Sequence, residues 1–240
     1  MKTLKNAGFT LLEMAIVLAI IALVAGSSLA LLLAQQDQRR IEDTQDMLNA
    51  AREALIGYAL SHTAADGRAY LPCPDKMTAA GAGIANDGIE DRAASICVAA
   101  EGNLPWATLG LVPQTDAWSN RVRYRTSDNF SRSDMGFQLT FTGDINVLDA
   151  VAGNTLASNL PALILSHGKN GYGAINASGR ANPAPPAQNT DEAANADGTV
   201  NFVSHAFAPA GAAGGEFDDQ LTWISRYTLF NRMIQAGKLP

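Results

Sequence analysis

The sequence predicts an α+β protein in which a long N-terminal α-helix packs on a small antiparallel β-sheet head. Two observations lead to this prediction. An uncharged apolar run over residues 14–34 continues into an amphipathic pattern over residues 35–62. After His62 the chain breaks into short alternating segments separated by Gly, Pro and Asn, as strands of a modest sheet would be. With 240 residues the chain has room for one medium domain and an appendage.

The apolar run is long enough to cross a bilayer as a helix, since about 20 residues are needed. A cleaved secretory signal peptide fits less well, because its apolar region is only about 7–15 residues long and ends at a small-residue cleavage site. A plain signal anchor would keep Lys2 and Lys5 in the cytoplasm and place the rest of the chain outside it. That alternative leaves Glu13 unexplained, because a carboxylate near the start of a spanning helix is costly and usually has a functional partner.

The amphipathic pattern predicts that the helix continues well beyond the apolar run, over about 50 residues and about 75 Å. Apolar residues recur at a spacing of seven and fill the neighbouring turns: Ile41, Leu48 and Leu55, with Met47, Ala51, Ala54 and Tyr58. Polar residues take the other face: Arg39, Glu42, Asp46, Asn49 and Glu53.

Strands are predicted in the head at residues 121–126, 137–142, 162–167 and 199–205. The Pro-, Ala- and Asn-rich residues 179–198 predict a long, mobile surface loop whose charges are solvated. Residues 220–239 predict a helix that packs four apolar side chains on the sheet: Leu221, Ile224, Leu229 and Met233.

Charge and cysteine content narrow the function classes. The net charge is −6 and the basic residues form no cluster beyond "DQRR", so binding to nucleic acid is disfavoured. Cys73 and Cys97 suit one disulfide in an exported domain, worth about 3 kcal/mol for the loop of about 25 residues that it closes. A reduced pair is the alternative, and zinc is less favoured because no histidine stands at ligand spacing. The three histidines are scattered and no catalytic motif is present, so we expect a protein that is not an enzyme.

The segment "KNAGFTLLEM", residues 5–14, resembles the N-terminus of type IV pilins and of type II secretion pseudopilins. In those proteins a short basic leader ends in Gly and is followed by Phe-Thr-Leu-Leu-Glu and an apolar helix, which here are Gly8, Phe9 and the residues up to Glu13. The resemblance implies that prepilin peptidase cuts between Gly8 and Phe9 and methylates the new amine of Phe9. It also implies that Glu13 helps to recruit each subunit into a filament.

The same resemblance implies a type IV pilin-like fold and its organisation. Residues 1–8 would be the leader, residues 9–60 the helix of the membrane or filament core and its stem, and residues 61–240 the head. The protein would cross the inner membrane once with its head in the periplasm and then enter a pilus or pseudopilus. Its expected partners are prepilin peptidase, other pilin or pseudopilin subunits, and the inner-membrane assembly platform.

Two stretches of the head extend the resemblance to major pseudopilins. "DAWSNRVRY", residues 116–124, is similar to a segment that would form a capped turn leading into a strand, with a ligand-binding Trp118 as the alternative. "LSHGKNGYGA" and "GGEFDDQLTWIS" are similar to the two elements that frame a calcium site in that family. Calcium binds oxygen ligands, and the two stretches offer them from Asp218 and Asp219, with Ser166 and Asn170. They depart from the family pattern at His167 and Lys169.

If the two aspartates bind no calcium, they would cap the helix predicted after them. The large head favours a minor pilin or minor pseudopilin over a major subunit. The rival interpretation is a membrane-anchored periplasmic binding or adhesive module that is not polymerised and that keeps Met1. An anchored enzyme is a more distant alternative.

Overall fold

The computed structural model describes residues 10–112 and 115–239, and it leaves the side chains of residues 24–31 undescribed. The chain divides into two compact units, the first ending at Glu42 and the second beginning at Asp43. Within the described residues the elements are α1 Leu11–Ser61, β1 Arg92–Ala93, β2 Ile96–Cys97, β3 Glu101–Asn103, β4 Arg123–Thr126, α2 Asp128–Ser131, β5 Ile145–Leu148, β6 Thr155–Leu160, β7 Ala162–Ser166, α3 Thr190–Ala196, β8 Asn201–Val203, β9 Gln220–Ile224 and α4 Arg226–Gln235.

The second part of α1 belongs to the head and supplies one wall of its core. Leu48, Ala51 and Leu55 are fully buried, as the spacing of seven predicts. Ile41, the first residue of that series, lies before the division of the chain and is 41% exposed. The predicted amphipathic face therefore becomes a packed face only from about Thr44 onwards, where the head begins.

The main sheet of the head is antiparallel and has the strand order β3-β4-β7-β9. Its central strand β7 is buried on both sides, and its side chains alternate between two cores. Ala162 and Ile164 pack in the core that contains α1 and α4. Leu163 and Leu165 pack in a second core with residues of the three-stranded sheet β6-β5-β8. The main sheet is thus covered by helices on one face and by a smaller sheet on the other, which is a mixed α+β arrangement.

One predicted strand is wrong. Residues 137–142 form no strand, and a turn lies within them, in which the Phe141 backbone N–H donates to the Gln138 carbonyl at 2.9 Å. Phe137 is fully buried against the rings of Phe130 and Phe230, with centroids 5.4 and 6.0 Å away. The alternating pattern of this segment thus reflects an aromatic cluster and not a sheet face.

The prediction of a surface loop over residues 179–198 is also wrong in its second half. Residues 190–196 form α3, and its Glu192 and Asn195 are fully buried. The Asn195 amide donates to the Val203 carbonyl at 3.0 Å, and its oxygen accepts from the Val203 N–H at 2.7 Å. The Asn195 side chain thus makes the two hydrogen bonds with the Val203 backbone that a neighbouring strand would make. These bonds hold α3 against the second core.

The helix predicted over residues 220–239 is wrong in its first five residues, which form β9 and pair with β7. Ser225 then caps α4, because its hydroxyl accepts from the Thr228 N–H at 3.1 Å. Leu229 and Met233 pack in the helix-side core as predicted. Leu221 and Ile224 reach the two opposite faces of the sheet, so that a spacing of three, typical of a helix, here belongs to a strand.

Among the described residues, no helical stretch is both long enough and apolar enough to cross a membrane.

Candidate functional site

Glu13 lies in the first turn of α1 and closes that end of the helix with Thr10. The Thr10 hydroxyl accepts from the Glu13 N–H at 3.2 Å, and the Glu13 carboxylate accepts from the Thr10 N–H at 3.5 Å. This reciprocal pair is a capping box, which satisfies N–H groups that have no partner inside the helix. Within its own chain, therefore, the Glu13 carboxylate is held at the start of the helix. Gly8 and Phe9, the predicted cleavage and methylation residues, lie outside the described residues.

The N-terminal part of α1, on both sides of Glu13, carries its apolar side chains on the surface. Leu11 is 93% exposed, Leu18 61% and Leu23 75%. Contiguous exposed apolar surface of this kind is unusual in a protein whose surface meets only water, and it marks contact with lipid or with other proteins.

A second candidate site lies in the head, where three carboxylates converge. Asp218 and Asp219 stand immediately before β9, and Glu192 projects from α3. Each offers one oxygen, and these oxygens all lie within 4.8 Å of one another. The sequence predicts Asp218 and Asp219 at this place but misses Glu192, which lies 26 residues before Asp218 and in a segment read as a solvated loop.

Hydrogen bonds position these carboxylates. Asp218 accepts from the Asn170 N–H at 2.9 Å, and Asn195 donates to Asp219 at 2.8 Å. The remaining Oδ1 atoms of Asp218 and Asp219 are buried and have no hydrogen-bond partner. Gly168 makes room for the Asp218 side chain, because a Cβ atom at this position would lie 2.1 Å from Asp218 Oδ1. Each aspartate thus keeps one buried oxygen with free lone pairs.

Burial changes the acidity of all three groups. It raises the pKa of Asp218 and of Asp219 to about 7, and it raises the pKa of Glu192 in the same direction. For Asp218 the negative charges of Asp219 and Glu192 add to the effect. Ionising all three carboxylates without a counter-charge is costly in this environment. An all-oxygen set of carboxylates suits calcium, so the residues present fit the ion that the resemblance implies.

Ser166, proposed as a further ligand of this site, has a different partner. The Ser166 hydroxyl donates to Asp116 at 2.7 Å, so it supports the turn at "DAWSN". That turn is capped as predicted, since Asp116 also accepts from the backbone N–H groups of Trp118 and Asn120 at 2.9 and 2.8 Å. Lys169, whose charge would oppose a cation, is exposed, whereas His167 is fully buried.

Cys73 and Cys97 form a disulfide, with their Cα atoms 5.2 Å apart. Buried polar groups organise the loop that it closes. Asp75 accepts from the Asn86 and Gly88 N–H groups at 2.8 Å each. Lys76 is only 3% exposed, and its ammonium group donates to the carbonyls of Gly81 and Ala82 at 2.9 Å each. This loop is therefore held by internal hydrogen bonds as well as by the covalent link, which its composition did not predict.

Comparison with known protein families identifies the N-terminal segment. Residues 3–29 match the family model described as the prokaryotic N-terminal methylation motif. The chain carries the signature of type IV pilins and pseudopilins. No curated protein and no solved structure matches the chain.

The methylation motif includes Gly8, Phe9 and Glu13, and its match ends well before the head begins. It indicates a substrate of prepilin peptidase with a membrane-anchored N-terminus and a structural role in a filament. Sequence reasoning found this segment but did not single out Thr10 for a structural role. The Thr-x-x-Glu spacing of a capping box was the signal that could have found it.

Proposed function

We propose that this chain is a prepilin-like structural subunit, a minor pilin or pseudopilin that assembles into a type IV pilus or a type II secretion pseudopilus. Prepilin peptidase cuts it between Gly8 and Phe9, and the new Phe9 amine is methylated. The observation that carries this proposal is the methylation motif over residues 3–29, whose second part forms the beginning of the helix that starts at Leu11.

The exposed apolar face of α1 supports polymerisation as the work of this protein. In the membrane this face is covered by lipid, and in the filament it is covered by the helices of neighbouring subunits. Residues 9–60 then serve as the filament core and stem, and residues 61–240 form the displayed head. The head stays in the periplasm while the helix is anchored in the inner membrane, until the assembly platform extracts the subunit.

Glu13 is the residue that we assign to assembly. A carboxylate in an apolar surrounding is stabilised by a buried cation, and the freed amine of a neighbouring subunit's Phe9 can supply one. Before that meeting the capping box with Thr10 gives the carboxylate a partner in its own chain. On assembly the Glu13 carboxylate gains a contact with an ammonium group, in place of its contact with the Thr10 N–H or in addition to it.

The test is the Glu13→Leu variant, expressed together with prepilin peptidase and the filament machinery. We expect normal removal of residues 1–8 and loss of the subunit from sheared filaments. Glu42→Leu removes an exposed carboxylate further along the same helix and is the matched control. Normal incorporation of the Glu13→Leu (or Glu13→Val) subunit would refute the role assigned to Glu13.

We also propose that the head binds one calcium ion through Asp218 and Asp219. The support is the pair of buried, unpartnered Oδ1 atoms on these residues and the raised pKa of both. Bound calcium would balance the negative charge of the site and so stabilise the head. We expect the melting temperature of the wild-type protein to rise with calcium and to fall with a chelator, and an unchanged melting temperature would refute the site.

A further inference from the structure

Glu192 joins the two aspartates although it comes from a different element. Its Oε1 accepts from the Asn170 amide at 2.6 Å and from the Asp218 N–H at 3.2 Å. Its carboxylate therefore already contacts the turn after β7 and the residue that precedes Asp219. Two oxygens on opposite sides of one calcium ion are at most about 5 Å apart, and the oxygens offered by the three carboxylates lie within 4.8 Å.

We infer that Glu192 is the third carboxylate ligand of this cation site, and that the bound calcium fastens α3 to the end of the β7–β9 strand pair. This inference rests on the calcium site proposed above and adds to it a ligand from the segment between β7 and β9. The docking of α3 then depends on bound calcium.

His167 provides an observation that is independent of the acidic cluster. It is fully buried, neither ring nitrogen has a hydrogen-bond partner, and its Nδ1 faces Asp219 Oδ1 at 3.7 Å. An unpartnered ring aimed at an unpartnered carboxylate oxygen indicates that Asp219 Oδ1 is oriented for a ligand other than this histidine.

Glu192 keeps coordinating capacity after its hydrogen bonds are counted. Its Oε2 accepts from the Asn189 amide at 2.9 Å, which makes three hydrogen bonds to the carboxylate. A carboxylate has about four acceptor sites, so one remains for a cation. The three donors come from α3's own N-cap, from the turn after β7 and from the backbone before β9, and they hold the carboxylate in place before a cation binds.

The consequence for α3 follows from its size. The helix has seven residues, too few to be stable without tertiary contacts. Asn195 fastens its C-terminal half to β8 and to Asp219, whereas Glu192 fastens its N-terminal half to the carboxylate site. Without the cation, nothing balances the negative charge that these carboxylates carry, and this charge opposes the second attachment.

The experiment uses the full chain in detergent micelles, titrated with calcium chloride by calorimetry. We expect the wild type to bind one calcium ion, Asp219→Asn to lose binding, and Glu192→Gln to bind at least about tenfold more weakly. Asp197→Asn makes the same carboxylate-to-amide change at an exposed residue just after α3, and we expect it to bind as the wild type does. Equal melting temperatures of the variants in chelator establish that they are folded.

Hydrogen exchange of the wild type gives a readout that needs no variant. We expect the amides of residues 190–197 to exchange more slowly with calcium than with chelator. Calcium binding that is lost in Asp219→Asn but unchanged in Glu192→Gln would overturn the role of Glu192 and leave the site itself intact. Protection confined to the turn after β7 and the start of β9 would overturn the fastening of α3. A wild type that binds no calcium would overturn both the site and this inference, and it would leave the filament proposal untouched.

Discussion

The N-terminal part of α1 and the head treat their apolar side chains in opposite ways. Leu11 and Leu23 are 93% and 75% exposed, whereas Leu48 and Leu55 of the same helix are fully buried by the head. The head thus buries the apolar side chains of the helical segment that it packs against, whereas the apolar side chains at the start of the helix stay exposed. We therefore expect substitutions of buried residues in the head to change stability, and substitutions before Glu42 to change assembly.

The largest expected effect comes from the buried end of this comparison. Leu55→Ala should lower the free energy of unfolding of the head by about 2–5 kcal/mol, because it removes buried methyl groups and leaves a cavity. Leu18→Ala, the same change at a 61% exposed position, should alter it by less than about 0.5 kcal/mol. Chemical denaturation of both variants in the same detergent is the measurement. Similar losses of unfolding free energy in the two variants would contradict the difference between the buried and the exposed part of α1.

Removal of the disulfide should have the next largest effect, again confined to the head. The double variant Cys73→Ser, Cys97→Ser frees a loop whose ends are 24 residues apart, so we expect a loss of about 3 kcal/mol. Reduction of the wild type should give the same loss in denaturant titrations. A much smaller loss would mean that Lys76 and Asp75 hold this loop without the covalent link.

A smaller effect should appear as pH dependence. Burial raises the pKa of Asp75 to about 6, against about 3.8 for an exposed aspartate, so the folded head binds this proton more tightly than the unfolded chain does. The contribution of Asp75 to stability is therefore highest below about pH 4 and decreases as the pH rises to about 6, by on the order of 1–2 kcal/mol.

Denaturation at a series of pH values checks this sign. Asp75→Asn should flatten the dependence between pH 4 and pH 6, and Asp43→Asn, at an exposed position of α1, should leave it unchanged. A wild-type head whose stability rises through this range in step with Asp75 ionisation would contradict the burial argument for this residue.

The sequence predicts best those elements whose pattern agrees with their environment. Leu48 and Leu55 repeat at helical spacing and are buried on one face, and residues 162–166 are apolar throughout because β7 is covered on both sides. The sequence is a poor guide where one spacing of apolar residues is compatible with both a helix and a strand. Leu221 and Ile224 fit a helix by their spacing, but β7 pairs with this segment and extends it as β9.

The candidate sites divide in the same way. The N-terminal segment could be recognised because its functional residues are adjacent in the chain, from Gly8 to Glu13. The carboxylate site could be predicted only in part, because Glu192 reaches Asp218 through the fold. Nothing in "NTDEAANA" shows that one of its acidic residues is fully buried, since burial there depends on the pairing of Asn195 with β8.

The N-terminal sequence and intact mass of the protein, recovered from cells with and without prepilin peptidase, decide whether this chain is processed as a prepilin. With the peptidase, we expect a chain that begins at Phe9 and is heavier than residues 9–240 by one CH2 unit, because a methyl group replaces one hydrogen of the Phe9 amine. Without the peptidase, we expect a chain that retains residues 1–8. The Gly8→Val variant should stay uncut, and Asn6→Val should be processed normally. A chain that keeps its leader in the presence of an active peptidase would contradict the account and favour an anchored module that does not polymerise.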